Sequence, residues 1–170
     1  MTLKGFRQVK DDVRSLYRLE PMRMEDIGEV LHIEQTSFTH PWPEEAFAEE
    51  IRKNAFSHPM VARLASSKER GVVGYCVKWV VFNELHVQNV AVHPQHRRRG
   101  LARHLLEEAL ETGKRSGCRA AFLEVRESNK IARRLYESMG FREAGKRRSY
   151  YSKPPEHAIL YRKNLIDEGL

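Results

Sequence analysis

Cysteine is scarce in this sequence of 170 residues, which also contains no long hydrophobic run. The two cysteines, Cys76 and Cys118, have no metal-binding or redox spacing, and the eight histidines show no ligand spacing. No apolar run approaches the roughly 20 residues that span a bilayer, and the charged N-terminus (residues 1–12) lacks the apolar region of a signal peptide. We therefore expect a reduced, cytoplasmic protein without a membrane span or a metal, with both cysteines in its core.

The composition is typical of one soluble globular domain, but the charge is unevenly distributed. Hydrophobic residues make up 41% of the chain and charged residues 31%, and the formal net charge is +7. Residues 97–150 carry 15 basic and 7 acidic side chains, a net charge of +8, whereas residues 20–50 carry nine acidic side chains and one basic one. The net charge alone suggests a polyanionic partner, and its distribution assigns that partner to one segment.

The spacing of apolar and turn-forming residues predicts an α/β fold with the element order βααβββαβαββ. Helices are predicted over residues 25–34, 43–53, 101–115 and 129–139. Strands are predicted over residues 17–20, 60–65, 72–82, 85–92, 120–125, 141–151 and 157–162. Pro43 is expected at the first position of the second helix, and Gly140 at a left-handed cap after the fourth. The order describes a mixed sheet with a β-α-β crossover in its later part.

A turn rich in arginine and containing one glycine, residues 97–100, follows a strand and opens the clearest helix of the chain. Free backbone N–H groups at a helix start, the positive end of the helix dipole and clustered arginines together bind pyrophosphate well. Gly100 allows a close backbone approach that a Cβ would obstruct. The turn lacks the glycine spacings of dinucleotide-binding and P-loop motifs. A solvated arginine cluster remains the alternative interpretation.

The segment Arg97-x-x-Gly100-x-Ala102 resembles the Q/R-x-x-G-x-G/A acetyl-CoA motif of the GNAT superfamily of N-acetyltransferases, whose element order also matches. Many members carry Gln at the first position, and the motif permits Arg97 there. Four further motifs are similar to those of the ribosomal-protein alanine N-acetyltransferases within that superfamily. They are residues 38–42, 123–129, 135–141 and 147–151. The resemblance covers residues 16–163, which is nearly the whole chain.

This resemblance implies a single-domain α/β fold of the GNAT type, with a mixed, mostly antiparallel sheet flanked by helices. The domain would comprise residues 16–170, and residues 1–15 would be an N-terminal extension that is either helical or loose. Acetyl-CoA is the implied cosubstrate, and no metal is implied. The implied cofactor-binding residues are Val90, Ala91, Val92, Arg97, Arg98, Arg99, Gly100, Leu101, Ala102, Arg103 and Asn129.

The binding would rely mainly on backbone groups. By the resemblance, residues 90–92 would form backbone hydrogen bonds with the pantetheine arm and the thioester carbonyl. Asn129 would contact the cofactor, although an Asn at a helix start is also a common N-cap.

Two side chains are the candidate catalytic residues, and each has a structural alternative. Glu124 interrupts an apolar strand, where a carboxylate is suited to accept a proton from an incoming ammonium or to pair with an arginine. The resemblance matches Glu124 to the catalytic base of the family, and Glu84 is a weaker candidate. It matches Tyr136 to the general acid that protonates the departing thiolate, while the phenol ring is also placed to pack against Phe141.

These observations predict an acetyl-CoA-dependent N-alpha-acetyltransferase that acts on a protein N-terminus. We expect direct transfer, because no nucleophile–base pair suited to a covalent step is evident. The resemblance implies the N-terminal alanine of a basic small-subunit ribosomal protein as the acceptor, which the acidic residues 20–50 would attract.

One alternative is a GNAT enzyme that acetylates lysine, small amines or varied N-termini. A non-enzymatic nucleic-acid-binding module is a further alternative, but the sequence has no zinc spacing and no RNP-type aromatic motif. We expect neither direct nucleic-acid binding nor membrane association.

Overall fold

The computed structural model of the protein describes residues 13–66 and 71–166. The strands are β1 (Tyr17–Pro21), β2 (Met60–Leu64), β3 (Val72–Val81), β4 (Glu84–Val92), β5 (Ala120–Arg126), β6 (Arg142–Ser152) and β7 (Pro155–Asn164). The helices are α1 (Ile27–Ser37), α2 (Glu44–Arg52), α3 (Leu101–Arg115) and α4 (Lys130–Ser138). Residues 13–16 are also helical, and the rest of the predicted N-terminal extension lies outside the described residues.

The strands form a sheet with the order β1-β2-β3-β4-β5-β7-β6. The pairs β1–β2, β2–β3, β5–β7 and β6–β7 are antiparallel, and β4–β5 is parallel. Helix α3 connects β4 to β5 and is therefore the crossover that a parallel pair requires. The predicted α/β order and the mostly antiparallel sheet are confirmed.

Several predicted element ends were wrong by a few residues. Helix α1 extends past residue 34 to Ser37, and the hydroxyl of Thr36 donates to the carbonyl oxygens of His32 and Ile33 inside it. Pro43 is not the first helical residue, because its backbone is extended (φ −73°, ψ 163°) and it is the N-cap of α2. Strand β7 is longer than predicted at both ends, since pairing with β5 and β6 continues beyond its apolar residues.

The described chain folds as two compact units, of which the first contains the chain up to Val77 together with Asn89–Glu108. Its core lies between α1, α2 and strands β2 to β4. The buried residues of this core are Met22, Ile27, Val30, Ile33, Phe47, Val61, Val72, Tyr75, Val77 and Ala91. At Gly74 of β3, an added Cβ would lie 3.3 Å from both Leu101 and Leu105, so glycine allows α3 to pack this closely on the strand.

The second unit comprises Lys78–Gln88 and the chain from Ala109 onward. After α4, Gly140 has a φ of +86°, and the N–H of Phe141 donates to the carbonyl oxygen of Tyr136. A second bond runs from the N–H of Gly140 to Glu137, and together they form the predicted left-handed cap, a Schellman motif. Both predicted core cysteines are buried, and neither forms a disulfide within the described residues. Within the described part of the chain, no helix is long and apolar enough to cross a bilayer.

Candidate active site

The end of β4 presents backbone rather than side chains to a ligand. Ala91 and Val92 are buried, and Val90 is half-buried. The parallel register of β4 with β5 runs from Glu84 opposite Ala120 to Val87 opposite Leu123, so residues 88–92 lie beyond its last pair. Backbone groups of an extended strand end of this kind are suited to hydrogen-bond an amide-containing chain.

The turn after β4 has the geometry of an anion-binding site. Arg98 and Gly100 have left-handed φ angles of +60° and +82°, and α3 begins immediately afterwards at Leu101. The first N–H groups of α3 have no partner within the helix, and its dipole adds positive charge there. The side chains of Arg98 and Arg99 are exposed beside this turn. The residues present therefore fit a pyrophosphate group.

The Arg97 side chain anchors this turn to two neighbouring elements of the same unit. Its Nε donates to the carbonyl oxygen of Val92 at 3.0 Å, and its Nη2 donates to the Ser37 hydroxyl at 3.0 Å. Leu101, also predicted as cofactor-binding, has a buried side chain that packs near Gly74, so only its backbone is available to a ligand. The side chains of Arg97 and Leu101, both predicted to bind the cofactor, thus hold the turn in place.

Glu124 lies on the less buried face of β5 in the second unit. Leu123 and Val125 are buried on one face of β5, and alternation places Glu124 and Phe122 on the other. The carboxylate of Glu124 is 24% exposed, and its Oε1 lies 3.0 Å from Nε of Arg147. Glu124 is thus accessible to an acceptor and is also paired with an arginine.

Glu84, the weaker candidate base, is not brought to the same place. It lies opposite Ala120, four residues before Glu124, which corresponds to about 13 Å along a strand. Its Oε2 is 2.8 Å from Nε2 of His86, whose ring stacks on Phe122 at 5.3 Å. Glu84 is therefore engaged elsewhere on the sheet.

Tyr136 is buried in the second unit and packs against two aromatic rings. The side chain is 7% exposed, and its ring centroid is 6.1 Å from those of both Phe141 and Tyr161. The hydroxyl of Tyr161 in turn donates to Glu137 at 2.6 Å and accepts from Nε of Arg133 at 3.0 Å. The predicted packing of Tyr136 against Phe141 is confirmed, and it orients the phenol.

Asn129 is the N-cap of α4. Its side-chain oxygen accepts a hydrogen bond from the backbone N–H of Ala132 at 3.1 Å. The structural interpretation of Asn129 is therefore confirmed. Asn129, Glu124 and Tyr136 all belong to the second unit, whereas the strand end and the turn at residues 90–92 and 97–103 belong to the first.

Glu34 is a site residue that the sequence analysis missed. It is 1% exposed and accepts hydrogen bonds from the backbone N–H of Trp42 at 2.8 Å, from Nδ2 of Asn89 at 3.1 Å and from the hydroxyl of Tyr75. Burial raises the pKa of this carboxyl, and the three donors oppose that rise. Burial, together with the negative charge of Glu34, also raises the pKa of Tyr75, which keeps its proton for this bond.

Glu34 connects the loop between α1 and α2 to strand β4, because it accepts hydrogen bonds from both. Trp42 lies in this loop, and Asn89 directly precedes Val90. The only feature of the sequence that could have identified Glu34 was its position as a charged residue on the otherwise apolar face of α1. Among the described residues, no three His, Cys, Asp or Glu side chains are grouped so that they would hold a metal ion.

The chain is similar to known acetyltransferases in both sequence and fold. The family model described as "Acetyltransferase (GNAT) family" matches residues 27–141. The chain is 35% identical over 126 residues to the protein of Escherichia coli (strain K12) named ribosomal protein bS18-alanine N-acetyltransferase, with 74% of this chain and 81% of that protein covered. It is 34% identical over 132 residues to the protein of that name in Salmonella typhimurium, with 78% and 85% covered.

A solved structure is similar as well. The crystal structure of the ribosomal-protein-S18-alanine N-acetyltransferase from Escherichia coli superposes with a TM-score of 0.79 at 31% sequence identity, covering 91% of this chain and 99% of that one. The residues that the family model matches, 27–141, include the end of β4, the turn, Glu124 and Tyr136.

Proposed function

Because this chain belongs to the GNAT family of acetyltransferases, whose members use acetyl-CoA, we propose that it acetylates the α-amino group of a protein N-terminus. The observation that carries this proposal is the similarity, over most of the chain, to relatives named for acetylating the alanine of ribosomal protein bS18. The proposed acceptor is accordingly the N-terminal alanine of that ribosomal protein. We assign the activity to residues 16–170, and a ribosomal acceptor would place the reaction in the cytoplasm.

Acetyl-CoA would bind through the groups that the structure makes available for it. The N–H groups at the start of α3 and the side chains of Arg98, Arg99 and Arg103 would bind the phosphates. The backbone of residues 90–92 would hydrogen-bond the pantetheine arm. Asn129 would add a contact without giving up its cap, because its side-chain amide has donors as well as an acceptor.

Glu124 would act as the general base. When bound, acetyl-CoA supplies a thioester carbonyl that an uncharged amine attacks directly. The accessible carboxylate of Glu124 would accept the proton of the acceptor ammonium, directly or through water. The hydroxyl of Tyr136 would donate a proton to the sulfur as the C–S bond breaks, and the packing of its ring fixes the direction of that hydroxyl.

An N-terminal amine suits this base better than a lysine does. An α-amino group has a pKa of about 7.7–8.0 and a lysine about 10.4, so close to neutral pH roughly 10–30% of the former is uncharged and below about 0.1% of the latter. A carboxylate base therefore needs to remove a proton from only part of the bound α-amine, whereas nearly all of a lysine amine would have to be deprotonated. The lower pKa of an α-amino group therefore favours N-terminal acceptors over the lysine alternative.

The acidic helix α2 supports a basic acceptor. Glu44, Glu45 and Glu49 are exposed there, and Glu50 lies in the same helix. These carboxylates would attract a positively charged protein tail electrostatically. The same charges give no advantage to a neutral small amine.

The proposal is tested with the purified protein, acetyl-CoA and three acceptors. The first is a peptide with the N-terminal sequence of the bS18 protein of the same organism. The second is that peptide with a blocked N-terminus and an added lysine, and the third is alaninamide. We expect acetylation of the first peptide only, located at the α-amine by tandem mass spectrometry. Preferential acetylation of lysine or of alaninamide would overturn the proposal, as would unchanged acetylation of bS18 in cells that lack this protein.

A further inference from the structure

Glu124 is paired with an arginine that comes from a non-neighbouring strand. Its partner, Arg147, lies on β6, and β7 separates β6 from β5. In register, Glu124 faces Leu160 of β7, and Leu160 faces Gly145 of β6. Arg147, two residues farther along on the same face, therefore reaches back over β7 to bring its Nε within 3.0 Å of Glu124 Oε1.

Arg147 is the ion-pair partner of Glu124 among the described residues. Two other carboxylates of this unit have different partners: Glu156 accepts from Arg126 at 3.3 Å, and Glu127 accepts from Lys146 at 2.5 Å. The side chain of Arg147 is 57% exposed, so its guanidinium is largely solvated. An exposed pair of this kind is weak and easily exchanged.

The acceptor ammonium and the Arg147 guanidinium are two cations that need the same carboxylate. A general base must lie within hydrogen-bond reach of the proton it takes, or within reach through one water. Here Oε1 of Glu124 is already occupied by Nε of Arg147. A carboxylate oxygen has two lone pairs, but an ammonium bound at this one would lie beside the guanidinium, and repulsion between the two cations favours displacement of the guanidinium.

The Arg147 guanidinium also has an aromatic neighbour. Cζ of Arg147 lies 5.5 Å from the ring centroid of Tyr150, within the range of a cation–π contact. The Tyr150 ring is exposed, and it is braced edge-on by Tyr151 at 5.1 Å. The Arg147 guanidinium thus has a favourable aromatic contact in addition to its ion pair with Glu124.

We propose that Arg147 occupies the place of the acceptor ammonium beside Glu124 in the resting protein and competes with the acceptor for it. The proposal rests on the proposed function, with Glu124 as the base. Arg147 is in this scheme a positioning residue that keeps the carboxylate paired until a peptide binds. Removing it strengthens acceptor binding, whereas removal of a residue that holds the site together would weaken it.

The experiment compares Arg147→Ala with the wild type in steady-state kinetics on the N-terminal alanine peptide. We expect the peptide KM to fall by up to about fivefold, the range of an exposed ion pair, with the acetyl-CoA KM unchanged. Arg142→Ala is the matched control, because it removes one exposed positive charge from the same strand. An unchanged or higher peptide KM in Arg147→Ala, or an equal fall in Arg142→Ala, would overturn the proposal.

A second measurement separates competition from a structural effect. Arg147→Lys keeps a cation that can pair with Glu124 and should restore a peptide KM close to that of the wild type, whereas the neutral Arg147→Gln should behave like Arg147→Ala. A peptide KM of Arg147→Lys equal to that of Arg147→Ala would contradict competition at Glu124. Glu124→Gln distinguishes failure of the base assignment from failure of the role proposed for Arg147. If this variant keeps the wild-type kcat, the base assignment fails, and if it loses activity while Arg147→Ala behaves like the wild type, only the role of Arg147 fails.

Discussion

Nε of Arg97 donates a 3.0 Å hydrogen bond to the carbonyl oxygen of Val92, the last residue of β4. This bond connects the candidate phosphate-binding turn, residues 97–100, to the end of that strand. The same guanidinium bonds the hydroxyl of Ser37 at the end of α1. This one side chain therefore joins the turn both to the strand that precedes it and to α1, whose Ser37 lies 60 residues earlier in the sequence. The turn therefore has a defined position before any anion binds, which lowers the entropic penalty of binding.

Arg97→Ala should raise the acetyl-CoA KM by about tenfold, because a hydrogen bond from a charged donor contributes about 1.5–3 kcal/mol and this one is partly exposed. The peptide KM should not change. Arg97→Lys keeps the charge but loses the forked geometry, so it should resemble Arg97→Ala. A wild-type acetyl-CoA KM in Arg97→Lys would show that charge alone matters at this position.

Glu124→Gln should lower kcat by about 10²- to 10⁴-fold, the range that general-base catalysis supplies. Acetyl-CoA binding and thermal stability should remain close to those of the wild type, because the side chain is partly exposed and its ion pair is weak. Glu127→Gln is the matched control, as Glu127 is also paired with a basic side chain, Lys146. An equal loss of kcat in both variants would contradict the assignment.

Tyr136→Phe separates the catalytic role of Tyr136 from its packing role. The phenylalanine ring keeps the contacts with Phe141 and Tyr161, so the free energy of unfolding should fall by about 1 kcal/mol at most, the value of one hydrogen bond. The kcat should fall by at least tenfold if the hydroxyl protonates the leaving sulfur. Urea denaturation and single-turnover kinetics measure the two effects, and an unchanged kcat would leave packing as the role of this residue.

Asn129→Ala should lower the free energy of unfolding by about 0.5–2 kcal/mol, because it removes the N-cap of α4. Asn129→Ser keeps a capping oxygen and should restore most of that stability. The acetyl-CoA KM of Asn129→Ser then reports on the proposed cofactor contact alone. A wild-type KM in this variant would limit Asn129 to capping.

Glu34 should make stability depend on pH. Its pKa in the folded protein is raised above the ordinary 4.5, chiefly by burial, so the folded state holds this proton more tightly than the unfolded chain does. The stabilising contribution is full below pH 4.5 and is lost as the pH rises through the folded pKa. Urea denaturation at several pH values should therefore show the stability of the wild type falling relative to Glu34→Gln as the pH rises. A difference that does not vary with pH would contradict this.

Helix α3 and the ends of α4 were predictable from the sequence because their signals are local. The predicted range of α3, residues 101–115, equals the observed one. Asn129 and Gly140 act as caps through bonds to Ala132 and Glu137, which lie three residues away. Hydrogen bonds over such short separations depend on residue type and backbone angle, and hardly on the rest of the chain.

The environment of the site residues depended on the tertiary structure. Glu34 has partners that lie 41 and 55 residues away, and Arg147 reaches Glu124 only because β7 is inserted between β5 and β6. Periodicity indicates that a residue lies in a strand or a helix, but it does not specify which strands become neighbours. The sequence by itself therefore determined the elements, their caps and the candidate residues. The packing of the whole chain decided which cations and donors surround each carboxylate, because those contacts exist only once distant segments have paired.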